Sequence, residues 1–213
     1  LQMGIKVGIS SLGRISRLAI RSAMDMPEIE IAGINYRNAD LDYMVYMLKY
    51  DSVFGRFPKE LGTYDKGLII DGKKVPVYSE GDARNIPWGE CGAEYIVEGT
   101  GAYNTAEKAQ AHLDAGAKKV IITAPAKDDS PTFVCGVNLD KYTPDMNIVS
   151  NASCTTNCLA PLCKVLEDKF GIDQGLMATI HAATSKQVTV DKRNEKDWRI
   201  GRSAFNSIIP TTT

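Results

Sequence analysis

Several things are scarce in this sequence. It has only two histidines and two tryptophans, and its 25 basic and 26 acidic side chains leave a formal net charge of −1. Without a positive surplus there is no electrostatic basis for binding nucleic acid or an anionic membrane surface. No apolar run approaches the roughly 20 residues that cross a bilayer, and the first residues carry no signal-peptide pattern. The five cysteines (Cys91, Cys135, Cys154, Cys158 and Cys163) are odd in number and too sparse for a disulfide scaffold, which argues for a reducing compartment. Cys154 and Cys158 sit one helical turn apart, but two further ligands are not evident, so no metal is expected. What is present is the mix of a soluble globular protein: 44% apolar and 24% charged over 213 residues, enough for one large domain or one and a half ordinary ones. Both ends read as cut, since the chain opens on Leu1 and Ile208–Thr213 stops without a closing element, so a fragment of a longer protein is expected.

The order of periodic segments predicts an α/β fold. Ile5–Ile9 alternates as a strand, Gly8-Ile9-Ser10-Ser11-Leu12-Gly13-Arg14 makes a turn, and Ile15, Leu18, Ala19 and Ala23 have helical spacing. A second strand, Ile29–Asn35, closes a βαβ unit of the length used for binding half a dinucleotide. The phosphate-binding turn departs from its usual three glycines: Gly8 and Gly13 remain, and Ser11 stands where a middle glycine is expected. After the second strand an acid normally holds the ribose 2′-hydroxyl; here the chain reads Asn35-Tyr36-Arg37-Asn38. Arg37 is suited to pair with a 2′-phosphate; an exposed loop arginine is the alternative.

Further along, a helix is expected over Asp40–Tyr50 with Leu41, Met44, Val45 and Leu48 inward. A hairpin over Leu68–Tyr78 turns at Asp71-Gly72, and Pro76 argues for a sheet edge. Glu94–Glu98 is a strand running into Gly99-Thr100-Gly101, small residues that suit a ligand crevice. Asn104 with Glu107 reads as a capping box for the helix Thr105–Ala115, whose His112 is expected to face solvent. Strands are expected over Lys118–Thr123, Phe133–Val137 and Asn147–Val149. The alternation of helices and strands implies a parallel, doubly wound sheet.

The rest of the chain is arranged around Ser150-Asn151-Ala152-Ser153-Cys154-Thr155-Thr156-Asn157-Cys158. This stretch joins a short strand to a helical run marked by Leu159, Leu162, Val165, Leu166 and Phe170 and ended by Gly171. A cysteine at a helix N-terminus is more easily ionised, because N–H groups and the positive dipole end favour the thiolate. The alternative is a helix capped by Ser and Thr with two incidental cysteines. Met177–His181 reads as a strand delivering His181, and a Cys with a His from a neighbouring element is the pair needed for a thiolate nucleophile and its acid/base partner. Next to a nucleotide-type βαβ region, the pair points to hydride transfer through a covalent thio-adduct.

The run Ala152-Ser153-Cys154-Thr155-Thr156-Asn157-Cys158-Leu159 resembles the active-site signature of the phosphorylating glyceraldehyde-3-phosphate dehydrogenases. The resemblance extends to Lys49-Tyr50-Asp51-Ser52, Trp88-Gly89, Gly92-Ala93-Glu94-Tyr95, Phe133–Asn138, Asp197-Trp198-Arg199 and Ile208-Ile209-Pro210. It implies a Rossmann-type dinucleotide-binding domain over residues 1–152 and, from 153 to 213, the N-terminal portion of an α+β catalytic domain, truncated here. It implies Cys154 as nucleophile and His181 as its activator and proton acceptor. Ser153, Thr155, Thr184 and Thr213 match positions that hold phosphate or substrate. Arg14 and Ile15 match backbone contacts to the cofactor, and Thr123 a position near the nicotinamide. Gly8, Gly13, Asn35, Tyr36 and Arg37 complete the expected cofactor site. The implied ligands are NAD or NADP, glyceraldehyde 3-phosphate and inorganic phosphate, and the implied assembly is a homotetramer in the cytoplasm, with a plastid as the other possibility because any targeting segment would precede Leu1.

The departures from the family pattern are specific. Serine stands at Ser11 and Ser16 where the family turn has glycine, Tyr36 at the ribose-binding acid, and Gly99 at a usual serine. Lys186, Lys192, Arg193 and Asn194 follow His181 where threonine or small residues are usual. Tyr36 predicts relaxed or NADP-leaning cofactor use. Two other functions remain open on sequence: a sister enzyme that oxidises erythrose 4-phosphate and hydrolyses its thioester, and a non-catalytic scaffold on the same fold.

Overall fold

The structure, a computed structural model, describes residues 4–211. The chain forms two compact units, Leu1–Pro161 and Leu162–Thr213.

The first unit is built on one eight-stranded sheet. Its strands are β1 (Ile5–Ser10), β2 (Ile29–Asn35), β5 (Leu61–Tyr64), β6 (Gly67–Ile70), β7 (Lys73–Tyr78), β8 (Tyr95–Glu98), β9 (Lys119–Ile122) and β10 (Ile148–Ser150), and their spatial order is β10-β9-β8-β1-β2-β7-β6-β5. Strands β10 through β7 run parallel, and β6 and β5 continue antiparallel. A separate two-stranded ladder pairs β3 (Tyr50–Asp51) with β4 (Gly55–Arg56). The helices of this unit are α1 (Arg14–Ala23), α2 (Leu41–Lys49), α3 (Trp88–Cys91) and α4 (Ala106–Asp114), and α5 (Cys154–Phe170) begins in it.

Alternation along β1 divides the core between the two faces of the sheet. Val7 and Ile9 join Ile20, Ile34, Met44, Leu48, Leu68 and Ile70 under α1 and α2. On the other face, Trp88, Ile96, Ala109, Val120 and Ile122 pack under α3 and α4. The register between β1 and β2 shifts between Val7 and Gly8, leaving Ala32 as the extra residue, so Ile31 and Ile34 both meet the first cluster despite their odd spacing. Each fully buried Ile or Leu contributes roughly 1.5–3 kcal/mol, enough to override the weak local propensity of short strands.

Four sequence-based expectations are corrected here. Pro76 does not mark an edge, because β7 lies between β2 and β6. The Val77 N–H donates to Lys66 O on the β6 side, so alternation turns the Pro76 nitrogen toward β2, and that ladder begins only at Ile34 and Val77. Thr105, rather than Asn104, caps α4, its side chain accepting from the Lys108 N–H. Phe133–Val137 is not a strand. Thr132 bridges Ser150, and the chain then turns around Gly136 (φ 77°), with the Asn138 side chain accepting from the Val134 N–H and donating to Thr132 O. Met177–His181 joins no ladder among the described residues, and Leu176 and Ile180 are fully exposed.

In the second unit α5 ends at Gly171 (φ 76°), whose N–H donates to Glu167 O. Val188 bridges Ser203, the Lys192 N–H donates to Gly201 O, and Asp197 caps a short turn of helix over Trp198–Gly201.

Candidate active site

The chain passes from β1 to β2 on one side of the sheet and later places β8 on the other side of β1. This switch point opens a crevice outside the carboxyl ends of β1 and β8, where ligands of such sheets bind. The Gly99 N–H donates to Ser10 O at 2.9 Å, tying the two strand ends together. One wall is the turn leading into α1, and the other is Gly99-Thr100-Gly101.

The structure resets the register of the phosphate turn. Gly8 lies inside β1, where a Cβ would come within 2.7 Å of the Trp88 ring. The three positions of the G-x-G-x-x-G spacing fall on Ser11, Gly13 and Ser16. Ser11 adopts φ 111°, a region that favours glycine, and its Oγ accepts the Gly13 N–H at 2.9 Å. Gly13 is the N-cap of α1 and supplies no side-chain cap, so the helix directs the N–H groups of its first residues, Arg14 and Ile15, at the crevice. These donors, the dipole end and the glycine beside them fit a pyrophosphate. Ile15 is exposed rather than packed against the sheet. The Arg14 guanidinium turns away to Asp51 at 2.5 Å, so its part at the crevice is its backbone. The Phe54 N–H, Arg14 and the Val53 N–H together hold the Asp51 carboxyl well below the usual carboxylate range.

Beyond β2, Asn35 is buried and clamps the loop after β7, its side chain donating to Glu80 O and accepting the Glu80 N–H. The Tyr36 N–H donates to Tyr78 O, and its side chain packs against the core beneath α1 and α2. Arg37 is exposed. Thr123, at the end of β9, donates through both its N–H and its hydroxyl to Glu98 O.

One group of site residues was not legible in the sequence. His112 is fully buried, not solvent-facing. Its Nδ1 accepts from Trp88 Nε1 at 3.1 Å, which leaves the ring proton on Nε2, 2.8 Å from Glu98 Oε2. The other carboxylate oxygen of Glu98 accepts the Thr100 N–H at 2.6 Å and the Thr100 hydroxyl. The chain Trp88–His112–Glu98–Thr100 thus runs from the core to the crevice wall. The signal available was the spacing of Ala109 and His112, three apart on the face that α4 buries.

The cysteine stretch folds as a sharp elbow. Asn151 donates its N–H to Ile122 O, Ala152 takes φ 60°, and Ser153 caps α5 by accepting the Thr156 N–H at 3.0 Å. The Asn157 side chain fastens the turn by donating to Asn151 O and Ser153 O. Cys154 is the first residue of α5 and is exposed, while Thr155 is buried. In the second unit His181 is exposed, with Nδ1 2.8 Å from Ala182 O, and Thr184 donates its N–H and hydroxyl to Gln187 Oε1. Thr213 lies outside the described residues. Among the described residues no cluster of three His, Cys, Asp or Glu side chains is placed to hold a metal.

A doubly wound sheet with an uncapped helix at its switch point defines a dinucleotide-binding α/β fold. Comparison with known proteins gives the particular family. Residues 5–106 match the glyceraldehyde 3-phosphate dehydrogenase NAD binding domain, and residues 153–213 match the C-terminal domain of the same family. The chain is 56% identical over 211 residues to a glyceraldehyde-3-phosphate dehydrogenase of Yarrowia lipolytica, covering 99% of this chain and 62% of that protein. A cytosolic one from Gracilaria gracilis is 53% identical over 208 residues, covering 98% and 62%. One from Omphalotus olearius is 56% identical over 211 residues, covering 99% and 62%. The chain belongs to the glyceraldehyde-3-phosphate dehydrogenase family, and it spans about 62% of the length of these relatives.

Proposed function

We propose that the full-length protein is a phosphorylating glyceraldehyde-3-phosphate dehydrogenase using NAD or NADP, with a dinucleotide-binding domain over residues 1–152 and a catalytic domain from 153 onward. The observation that carries this reading is Cys154 as the first residue of α5 on the Ala152 elbow, where the helix dipole favours a thiolate. Cys154 Sγ attacks the aldehyde carbon of glyceraldehyde 3-phosphate, and His181 takes the proton of the resulting hydroxyl as the C–H bond gives up its hydride. The dinucleotide, when bound, supplies the hydride acceptor. Inorganic phosphate then attacks the thioester carbonyl, the C–S bond breaks, Cys154 leaves as thiolate and an acyl phosphate is released. Hydroxyls at Ser153, Thr155, Thr184 and Thr213 hold phosphate groups.

Arg14 and Ile15 hold the pyrophosphate through their N–H groups at the turn of Ser11 to Gly13, and Thr123 lines the nicotinamide side. With Tyr36 packed on the core and no acid at the end of β2, the ribose pocket of Asn35, Tyr36 and Arg37 does not repel a 2′-phosphate. This supports use of both dinucleotides. The exposed row Tyr43, Tyr46 and Tyr50, with ring centroids 6.1 and 5.2 Å apart and Val53 and Phe54 exposed beside it, supports assembly as a homotetramer. A cytosolic relative supports a cytoplasmic enzyme.

The test is aldehyde oxidation by the full-length protein with NAD and NADP separately, with and without phosphate, beside Cys154→Ser. Phosphate-dependent turnover lost in Cys154→Ser is the expected result. Turnover indifferent to phosphate would favour oxidation of erythrose 4-phosphate with thioester hydrolysis, and a folded protein inactive with both dinucleotides would favour a scaffold.

A further inference from the structure

We propose that Ser16 and Gly99 form a size-complementary pair that sets the spacing between α1 and β8, and so positions the dinucleotide in the crevice between them. The proposal rests on the reading of that crevice as a dinucleotide site. The third position of the phosphate turn calls for a small residue because the helix packs there directly on the sheet. Ser16 occupies that position with no exposed surface. Its hydroxyl has no hydrogen-bond partner among the described residues. A buried orphan hydroxyl is a cost, so Ser16 is not there for a hydrogen bond; what it supplies is volume.

That volume is accommodated at Gly99. A Cβ built on Gly99 would lie 2.1 Å from Ser16 Oγ, 3.5 Å from Ser16 Cβ and 3.5 Å from Ser10 O. The backbone does not require glycine here, since Gly99 is not among the glycines of positive φ, whereas Gly101 next to it is. Of the atoms near the Gly99 Cβ position, the Ser16 hydroxyl is the one that excludes a side chain. Rotation of the Ser16 hydroxyl is the cheap escape, and full burial means that it cannot turn out into solvent. One residue carries a side chain where the other has none, and the two together set the separation of the crevice walls. The α1 N–H groups at Arg14 and Ile15 are carried by one wall and Thr100 by the other, so a shift of a few tenths of an ångström at the seam would change the pyrophosphate geometry directly.

The test uses the full-length protein and measures the Kd of NAD and NADP by titration calorimetry, together with KM and kcat for the dinucleotide. Gly99→Ala is expected to weaken binding by about tenfold or more, as overpacking of a tight seam does. The loss should appear in KM rather than kcat. Adding Ser16→Gly to it should restore Kd to within about threefold of the parent, as coupling between touching residues requires. Ser16→Ala combined with Gly99→Ala, which removes the same oxygen and leaves only the ordinary 3.5 Å contact with the residue 16 Cβ, should restore Kd in the same way. Parent-like binding by Gly99→Ala would overturn the proposal, and so would a double variant no better than Gly99→Ala. If Gly99→Ala fails to fold, the double variant decides: folded and binding supports the pair, unfolded overturns it. A folded parent that binds neither dinucleotide fails differently, taking the reading of the site and the positioning role down together.

Discussion

Ser11 is held at φ 111° by the turn it forms, and conformations of this kind cost of order 1–3 kcal/mol for a residue with a Cβ. Its hydroxyl recovers part of that through the Gly13 N–H. Ser11→Gly is therefore expected to raise the unfolding free energy by about 1 kcal/mol in a denaturant titration. A loss of the same size would mean that the hydroxyl's bond outweighs the backbone strain. His112 is the opposite case, a residue whose partners make it hard to replace. His112→Phe removes one of the donors to the buried Glu98 carboxylate and leaves Trp88 Nε1 without its acceptor. A cost of about 3 kcal/mol is expected, with a change in Trp88 emission as the spectroscopic sign. Full stability in that variant would mean water replaces the imidazole.

The hairpin β3–β4 is tied to α1 by Arg14 and Asp51, and by Arg21 donating to Gly55 O. Because the Asp51 carboxyl titrates lower in the folded chain than in the unfolded one, this tie is complete above about pH 4 and fades as pH falls through the acid range. Amide exchange at Val53 and Phe54 should accordingly be flat from pH 5 to 8 after correction for intrinsic rate, and Asp51→Asn should make it faster throughout. Strong protection loss near pH 6 in the parent would contradict the assignment. Ser153→Ala should cost about 1 kcal/mol through the lost cap of α5. At this scale much was legible. The β1–α1–β2 unit, α2, β8, α4 and β9 follow from periodicity, and Asp71-Gly72, with φ 50° and 77°, is the turn its dipeptide announces. The elbow at Cys154 was legible from its run of small and polar residues. The apolar runs Phe133–Val137 and Met177–His181 misled because a strand needs a ladder partner as well as alternation. His112 misled because its polar neighbours hid the alanine face it shares. The Ser16–Gly99 contact joins residues far apart in the chain, and no local pattern reports it.

The two tryptophans sample the two units separately: Trp88 has no exposed surface, and Trp198 is 84% exposed. Acrylamide should quench one emitting population readily and the other hardly at all. Trp198→Phe should abolish the accessible one, and equal quenching of both would contradict the burial of Trp88. The order of strands also bears on how the chain is made. Strand β1 pairs with β2 from Ile5 and Ile29 onward, and on its other side with β8, Val7 beside Tyr95. On the ribosome the first partner is complete once Asn35 has emerged, whereas the second waits for Glu98. At 5–20 residues per second the central strand keeps one bare edge for roughly three to thirteen seconds of translation. An open edge of this kind is a template for pairing with a foreign strand. Strand β1 is thus enclosed only after β2, β6 and β7, all of which follow it in the chain, and translation that stalls before residue 98 would leave a nascent chain with its central hydrogen-bonding row still unfilled.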